Sequence, residues 1–224
     1  MNKISKKKIA ILFDKSNFWI SKYINKKSFK INKKNYSIKY FNEKNKIENF
    51  DIVFVLGYTK ILKKNFLKKN KLNLIVHESN LPKGRGSAPM QWQILKNKNK
   101  IDICLILINQ KIDSGDIILR DKMYFKGNEL NEEIREKQAR YTMRLIRTFL
   151  RIYPNHKLKK QTGTPSFFRK RNAVDSIVDI NKSIKKQFNL FRICDNEQYP
   201  AYFIYKSNKY LLKIYKDKPY EKKR

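Results

Sequence analysis

Five short apolar runs before residue 125 constrain this chain more than any other feature. They are Ile9–Phe13, a weaker one at Ile38–Tyr40, Asp51–Leu56 (DIVFVL), Leu72–Val76 (LNLIV) and Ile101–Ile108 (IDICLILI). Near-continuous runs of this length suit strands buried on both faces, because an alternating pattern would leave one face to water. The stretches between them, such as Lys60–Lys69 and Met90–Lys96, read as helices. Strands alternating with helices predict βαβ units with right-handed crossovers. The expected fold is therefore α/β: a Rossmann-like, mostly parallel sheet flanked by helices.

From Glu129 to Tyr153 the period changes. Leu130, Ile134, Tyr141, Leu145, Phe149 and Ile152 recur at spacings of three and four, with one gap at Gln138. That stripe predicts a long amphipathic helix, with Asn128 as its N-cap, Glu132 and Glu133 in the first turns and Pro154 at its end. Residues 154–180 are polar and irregular and read as a connector. A shorter helix follows at Lys182–Phe191, then a hairpin of Ala201–Tyr205 and Tyr210–Tyr215 around KSNK. The expected organisation is a catalytic domain over 1–153, then a connector and a small C-terminal helix-plus-hairpin appendage over 154–224. The apolar hairpin strands could pair across a homodimer.

A chain of 224 residues with 41% hydrophobic and 13% aromatic content can build a real core and is not a disordered segment. No run approaches the roughly 18 residues of a membrane span. The start, MNKISKKKIAILFD, has a basic then apolar order, but the apolar part ends at Asp14 with no small-residue cleavage site, so it reads as a strand and the expected location is the cytoplasm. Cys104 and Cys194 are far apart, and Cys104 lies inside ICLILI, which predicts a buried, inert thiol. Neither a disulfide framework nor a metal site is supported. The net charge of +34 would attract phosphate-bearing partners. Lysine supplies 42 of the 53 basic residues, however, and asparagine and isoleucine are inflated with it. A genome biased to A/T-rich codons gives the same composition, so the charge alone leaves a solvated surface and a selected polyanion site both open.

One stretch departs from this background. VHESNLPKGRGSAPMQWQIL, residues 76–95, holds one of the two histidines and follows directly on an apolar run. His77 falls at the carboxyl end of an expected parallel strand, where open α/β sheets bind ligands. The next such strand runs into NQKIDSGDIIL, which sets Asp113 on a loop expected at the same edge. Taken singly, a strand-end histidine can be a satisfied structural group, and Asp-Ser-Gly-Asp is a common turn composition.

Taken together, HESNLPKGRGSAP followed by IDSGDIIL resembles the folate-dependent formyltransferase family. The matching residues are His77, Ser79, Leu81, Pro82, Arg85, Gly86, Ala88 and Pro89, then Asp113 and Gly115. LGYTKIL (Leu56–Leu62) looks like the family segment that lines the folate pocket, and FNLFRICDNEQYPAYF is similar to the start of its small C-terminal domain. The resemblance implies an enzyme that takes 10-formyltetrahydrofolate as co-substrate, with Leu56, Gly57, Tyr58, Ile61, Ile112 and Gly115 against the folate. His77 would bond the oxyanion or shuttle a proton, and Asp113 would hold the imidazole and accept the amine's proton. The glycine-rich turns would keep side chains off the formyl carbon. The family carries asparagine two residues before the histidine, as a second oxyanion donor. Here that position is Ile75; Asn73 lies two residues further back on the same strand face and Asn80 on the loop, and Asn80 or a main-chain N–H is the expected replacement. Losing one such donor costs about a hundredfold in rate.

The small C-terminal part favours a small acceptor. HESNLPKGRG and FDKSNFWISKYI look most like enzymes that formylate an amino sugar, often nucleotide-linked, for surface polysaccharide. In that resemblance Asn17, Trp19, Ser79 and Arg85 face the acceptor, although Trp19 also reads as a core residue of a short helix. The alternatives are a methionyl-tRNA formyltransferase-like enzyme, which the basic charge suits, and a catalytically impaired relative acting as a basic binding protein.

Overall fold

The computed structural model describes residues 6–14, 18–24 and 35–217. In chain order its elements are β1 (Lys7–Phe13), α1 (Phe18–Ile24), β2 (Tyr36–Phe41), β3 (Ile52–Leu56), α2 (Lys64–Lys68) and β4 (Leu72–His77). Then come β5 (Arg85–Gly86), α3 (Pro89–Leu95), β6 (Lys100–Leu107), β7 (Ile117–Tyr124) and α4 (Asn131–Ile152). The chain closes with β8 (Phe167–Phe168), α5 (Ile184–Ile193), β9 (Ala201–Tyr205) and β10 (Asn208–Leu212).

All five apolar runs form strands, and with a sixth, β7, they join one sheet in the order β2-β1-β3-β4-β6-β7. β3 sits in the middle and every residue of it is buried, as a run without alternation requires. Phe54 turns to one face, where it meets Phe149 of α4 edge to ring at 5.9 Å, with Met143 and Ile146 in the same cluster. Val53 and Val55 turn to the other, against Leu62 and Phe66. Burying each such side chain contributes about 1.5–3 kcal/mol, so these layers dominate the stability of the sheet.

The sheet is mostly parallel, as expected, but one strand is not. β2, β1, β3 and β4 are parallel, whereas β6 runs antiparallel to β4 and β7 antiparallel to β6. A continuous apolar run encodes burial on both faces; it does not encode direction. The sequence also left 117–124 without an element. It forms the edge strand β7, with Ile117 and Met123 buried near its two ends.

α4 starts at Asn131, so Leu130 rather than Asn128 occupies the cap; its side chain accepts nothing, but Glu133 reaches back and accepts from the Leu130 N–H at 2.9 Å. Glu129, just before the helix, is buried and pairs with Arg192 of α5 at 2.9 Å; Arg192 also donates to the Glu129 carbonyl at 3.0 Å. This ion pair ties the C-terminal part to the end of the long helix. Ser183 caps α5, accepting from the Lys186 N–H. The hairpin forms with a two-residue turn, Lys206 and Ser207, both at positive φ, which matches the twist of the paired strands. Val178, Phe191, Cys194 and Ala201 make a small cluster beneath it. No helix among the described residues is long and apolar enough to cross a membrane.

Candidate functional site

β4 ends at His77, which is 5% exposed. Its Nε2 lies 2.8 Å from the Gly84 carbonyl, an arrangement in which the ring N–H donates to the loop that follows. Nδ1 then faces Oδ2 of Asp113 at 3.4 Å, and the Gly86 N–H donates to that same oxygen at 2.8 Å. The carboxylate is thereby fixed against the imidazole and can stabilise positive charge on it.

Two loops must converge to build this pair, and both are clamped by the supposed connector. Arg85 and Gly86 pair as a parallel bridge with Phe167 and Phe168. The Gly84 N–H donates to Ser166 Oγ at 2.9 Å. Gly86 has a φ of +99°, and a Cβ there would sit 2.3 Å from the Phe168 carbonyl oxygen, so only glycine allows this approach. Trp92 stacks on Phe168 and donates to the Arg169 carbonyl, fastening the same segment. On the other loop, Gln161 donates to the carbonyls of Asp113 and Gly115 and accepts from Arg85.

The expectation that Asp113 follows the carboxyl end of a parallel strand needs correction. In register, Leu107 at the end of β6 lies opposite Leu74, while His77 lies opposite Cys104. Asp113 reaches His77 because the 108–116 loop turns back, with Gly115 packed so tightly that a Cβ would collide with the Leu107 carbonyl at 1.8 Å.

His77 and Asp113 open onto a cavity of about 610 Å³ that straddles the end of the sheet. One lobe is apolar and is walled by Leu56, Tyr58, Ile61, Leu62, Ile108 and Ile112. Gly57 lines it at a φ of +59°. The other lobe is polar, with Glu78, Gln91, Arg135, Gln138 and Thr142. Gln138 donates to Glu78 at 2.6 Å and accepts from Arg135 at 2.9 Å; Arg135 in turn donates to Gln91 at 2.6 Å with that amide in its hydrogen-bonding orientation. Burial pulls the Arg135 guanidinium down to about 10, against the opposing pull of the Glu78 carboxylate.

Of the residues expected from sequence, His77, Asp113, Leu56, Gly57, Tyr58, Ile61 and Ile112 line this cavity together. Gly115 lies behind the Asp113 loop. Ser79 is 1% exposed beneath its own loop, with its carbonyl accepting from the Cys104 thiol. Arg85 is spent on Gln161. Asn80 points to the far side, where its amide oxygen accepts from Arg120 at 2.7 Å. Asn73 is buried and donates to the Leu67 carbonyl, while Ile75 lines the cavity itself. The structure thus brings neither asparagine to His77. Asn17 lies outside the described residues; Trp19 belongs to α1, but its side chain is not among those described.

Sequence reasoning missed Glu78, Gln138, Arg135 and Gln161. The gap in the apolar stripe at Gln138 was the available signal; nothing in the polar connector singles out Gln161. Cys104 matches its inert reading, since burial pushes its thiol up to about 11. No cluster of three or more His, Cys, Asp or Glu side chains that could hold a metal occurs among the described residues.

An imidazole and a carboxylate that face one crevice of an α/β sheet form a pair that can exchange protons with a group bound there. Residues 5–149 match the family model described as formyl transferase, and the chain belongs to that family. It is 28% identical over 172 residues to a bifunctional polymyxin resistance protein ArnA of Wigglesworthia glossinidia brevipalpis, covering 75% of this chain and 26% of that one. It is also 28% identical over 189 residues to methionyl-tRNA formyltransferase of Clostridioides difficile, covering 83% and 60%. The chain thus spans between about a quarter and three-fifths of the length of these relatives. Among solved structures, methionyl-tRNA formyltransferase from Clostridium thermocellum superposes with a TM-score of 0.80 at 23% identity, covering 95% and 94%. A 4-N formyltransferase from Francisella tularensis gives 0.74 at 17%, covering 95% and 99%. HypX from Aquifex aeolicus, solved in complex with tetrahydrofolic acid, gives 0.73 at 16%, covering 94% and 38%. At these identities the superpositions establish the fold.

Proposed function

We propose that the protein is an N-formyltransferase that moves the formyl group of 10-formyltetrahydrofolate to the amine of a small, nucleotide-linked amino sugar used in surface polysaccharide. The observation that carries this is the His77–Asp113 pair opening onto a two-lobed cavity. The apolar lobe fits a flat heteroaromatic ring: Tyr58, Ile61 and Ile112 offer apolar contact, and residues 108–111 line the same cavity. The polar lobe fits a hydroxylated, amine-bearing acceptor.

With Nε2–H committed to Gly84, the neutral ring carries its lone pair on Nδ1, beside Asp113. His77 takes the amine's proton there as the nitrogen attacks the formyl carbon, and Asp113 stabilises the imidazolium that results. The imidazolium returns a proton to the departing folate nitrogen. With Asn80 and Asn73 engaged elsewhere, main-chain N–H groups at the cavity carry the developing oxyanion. The test is incubation with 10-formyltetrahydrofolate and a panel of nucleotide-linked amino sugars, read by mass spectrometry. A gain of one formyl group on any sugar supports the assignment. No gain on any of them, together with no folate binding, overturns it.

A second reading, formylation of methionyl-tRNA, is favoured by one feature besides the names of the relatives. Arg140, Arg144, Arg147 and Arg151 form an exposed stripe along α4, in a chain where lysine is the prevailing cation. Arginine forks suit phosphate. Retardation of initiator tRNA that survives moderate salt, and is lost when these four become glutamine, would support that acceptor.

A further inference from the structure

The buried face of α4 is apolar except where it borders the cavity. Gln138 is 4% exposed there and spends its amide on two partners: it donates to Glu78 at 2.6 Å and accepts from Arg135 at 2.9 Å. A buried polar group is destabilising unless satisfied, and an apolar residue at 138 would continue the stripe without that cost. The chain nonetheless keeps a neutral amide whose donor is aimed at one carboxylate. Among the described residues, the hydrogen bond from Gln138 is the only one made to the Glu78 carboxylate, and Glu78 forms no ion pair with any of them. The Arg135 guanidinium attracts this carboxylate across Gln138 but makes no direct ion pair with it, so a carboxylate on the cavity wall keeps room for the direct contact of a bound cation.

Glu78 is also the residue next to His77. β4 ends at His77, and both the imidazole and the Glu78 side chain line the same cavity.

We propose that Glu78 is the anchor for the acceptor's amino group, with Gln138 as its positioning residue. The acceptor would then bind as a primary ammonium on a polar body that rests against Gln138 and Gln91. This rests on the formyltransferase reading and deepens it. The reaction balances as follows: the held ammonium gives up one proton to solvent and a second through His77; its nitrogen bonds to the formyl carbon as the bond from that carbon to N10 of the folate breaks. N10 takes the proton that His77 carried.

The test uses the full chain and the acceptor found by mass spectrometry. Glu78→Gln should raise KM for the acceptor by about ten- to a hundredfold, the loss expected when a charge-assisted bond becomes neutral. KM for 10-formyltetrahydrofolate should stay within about twofold, Glu78→Asp should recover part of the loss, and Gln138→Leu should raise the acceptor KM to a smaller degree. Fluorescence titration with 5-formyltetrahydrofolate reports whether each variant keeps its folate lobe. A measurement on the unaltered protein guards against misfolding: the acceptor analogue with hydroxyl in place of the amino group should inhibit at least about tenfold more weakly than the acceptor binds. An unchanged acceptor KM in Glu78→Gln, or equal binding of the hydroxyl analogue, overturns the anchor while leaving the formyltransferase reading intact. Failure to formylate any amine removes both.

Discussion

Gln161 donates from one amide nitrogen to the carbonyl oxygens of both Asp113 and Gly115, each at 2.8 Å, from a stretch 46 residues or more further along the chain. Its own oxygen accepts from Arg85 at 2.7 Å. One neutral side chain therefore sets the separation between the loop that carries Asp113 and the loop that closes over His77.

Replacing Gln161 by leucine should leave two loop carbonyls and the Arg85 guanidinium without their partner. We expect a loss of about 1–3 kcal/mol in unfolding free energy, read by urea titration. Turnover should fall by about tenfold or more, since small displacements of a catalytic group are costly. Turnover unchanged within twofold would show that the Asp113 loop holds its place without this clamp.

His77→Ala and Asp113→Asn should each lower kcat by about a hundredfold or more. Far-ultraviolet circular dichroism should be unaltered, because both side chains face a cavity rather than the hydrophobic layers. If formylation by either variant stays near the unaltered rate, the proton relay is misassigned.

At Gly86 the backbone itself is at stake. Alanine there would have to tolerate a φ of +99° and a Cβ 2.3 Å from the Phe168 carbonyl. The expected result is separation of the two loop bridges at a cost of about 1–3 kcal/mol. The Asp113 carboxylate would lose its N–H donor with it. Thermal unfolding and turnover should fall together; a stable variant with lost activity would instead localise the damage to the carboxylate.

Glu129 predicts how stability depends on pH. Burial raises its pKa, but the Lys126 and Gly127 N–H groups and the Lys137 ammonium outweigh this and hold the carboxyl at about 2. A carboxyl depressed in the folded state stabilises above its unfolded value, and that contribution is lost as pH falls through the range from about 4.5 to about 2. Glu129→Gln should be less stable than the unaltered chain at pH 7 by on the order of 2 kcal/mol, with the gap closing toward pH 2, in urea titrations. A gap independent of pH would place the effect in packing rather than charge.

The apolar runs by themselves determined that the chain forms an α/β sheet, which strands lie inside it, and that His77 stands at a strand end, since burial on both faces is written in composition over a few residues. The motif that follows His77, with Asp113 and Gly115 downstream, also made the formyltransferase resemblance legible. Strand direction was not legible, because the run that became β6 is equally apolar read either way. The roles of Ser79, Asn80 and Arg85 were also out of reach. Each is a polar residue in the stretch after β4, and only the folded chain decides whether its side chain meets the cavity, Arg120 or Gln161. The clamp by Gln161 and the Glu78–Gln138 contact join residues 46–76 positions apart through a few hydrogen bonds. Contacts of that kind leave no periodic trace in a sequence, so tertiary structure alone could place them.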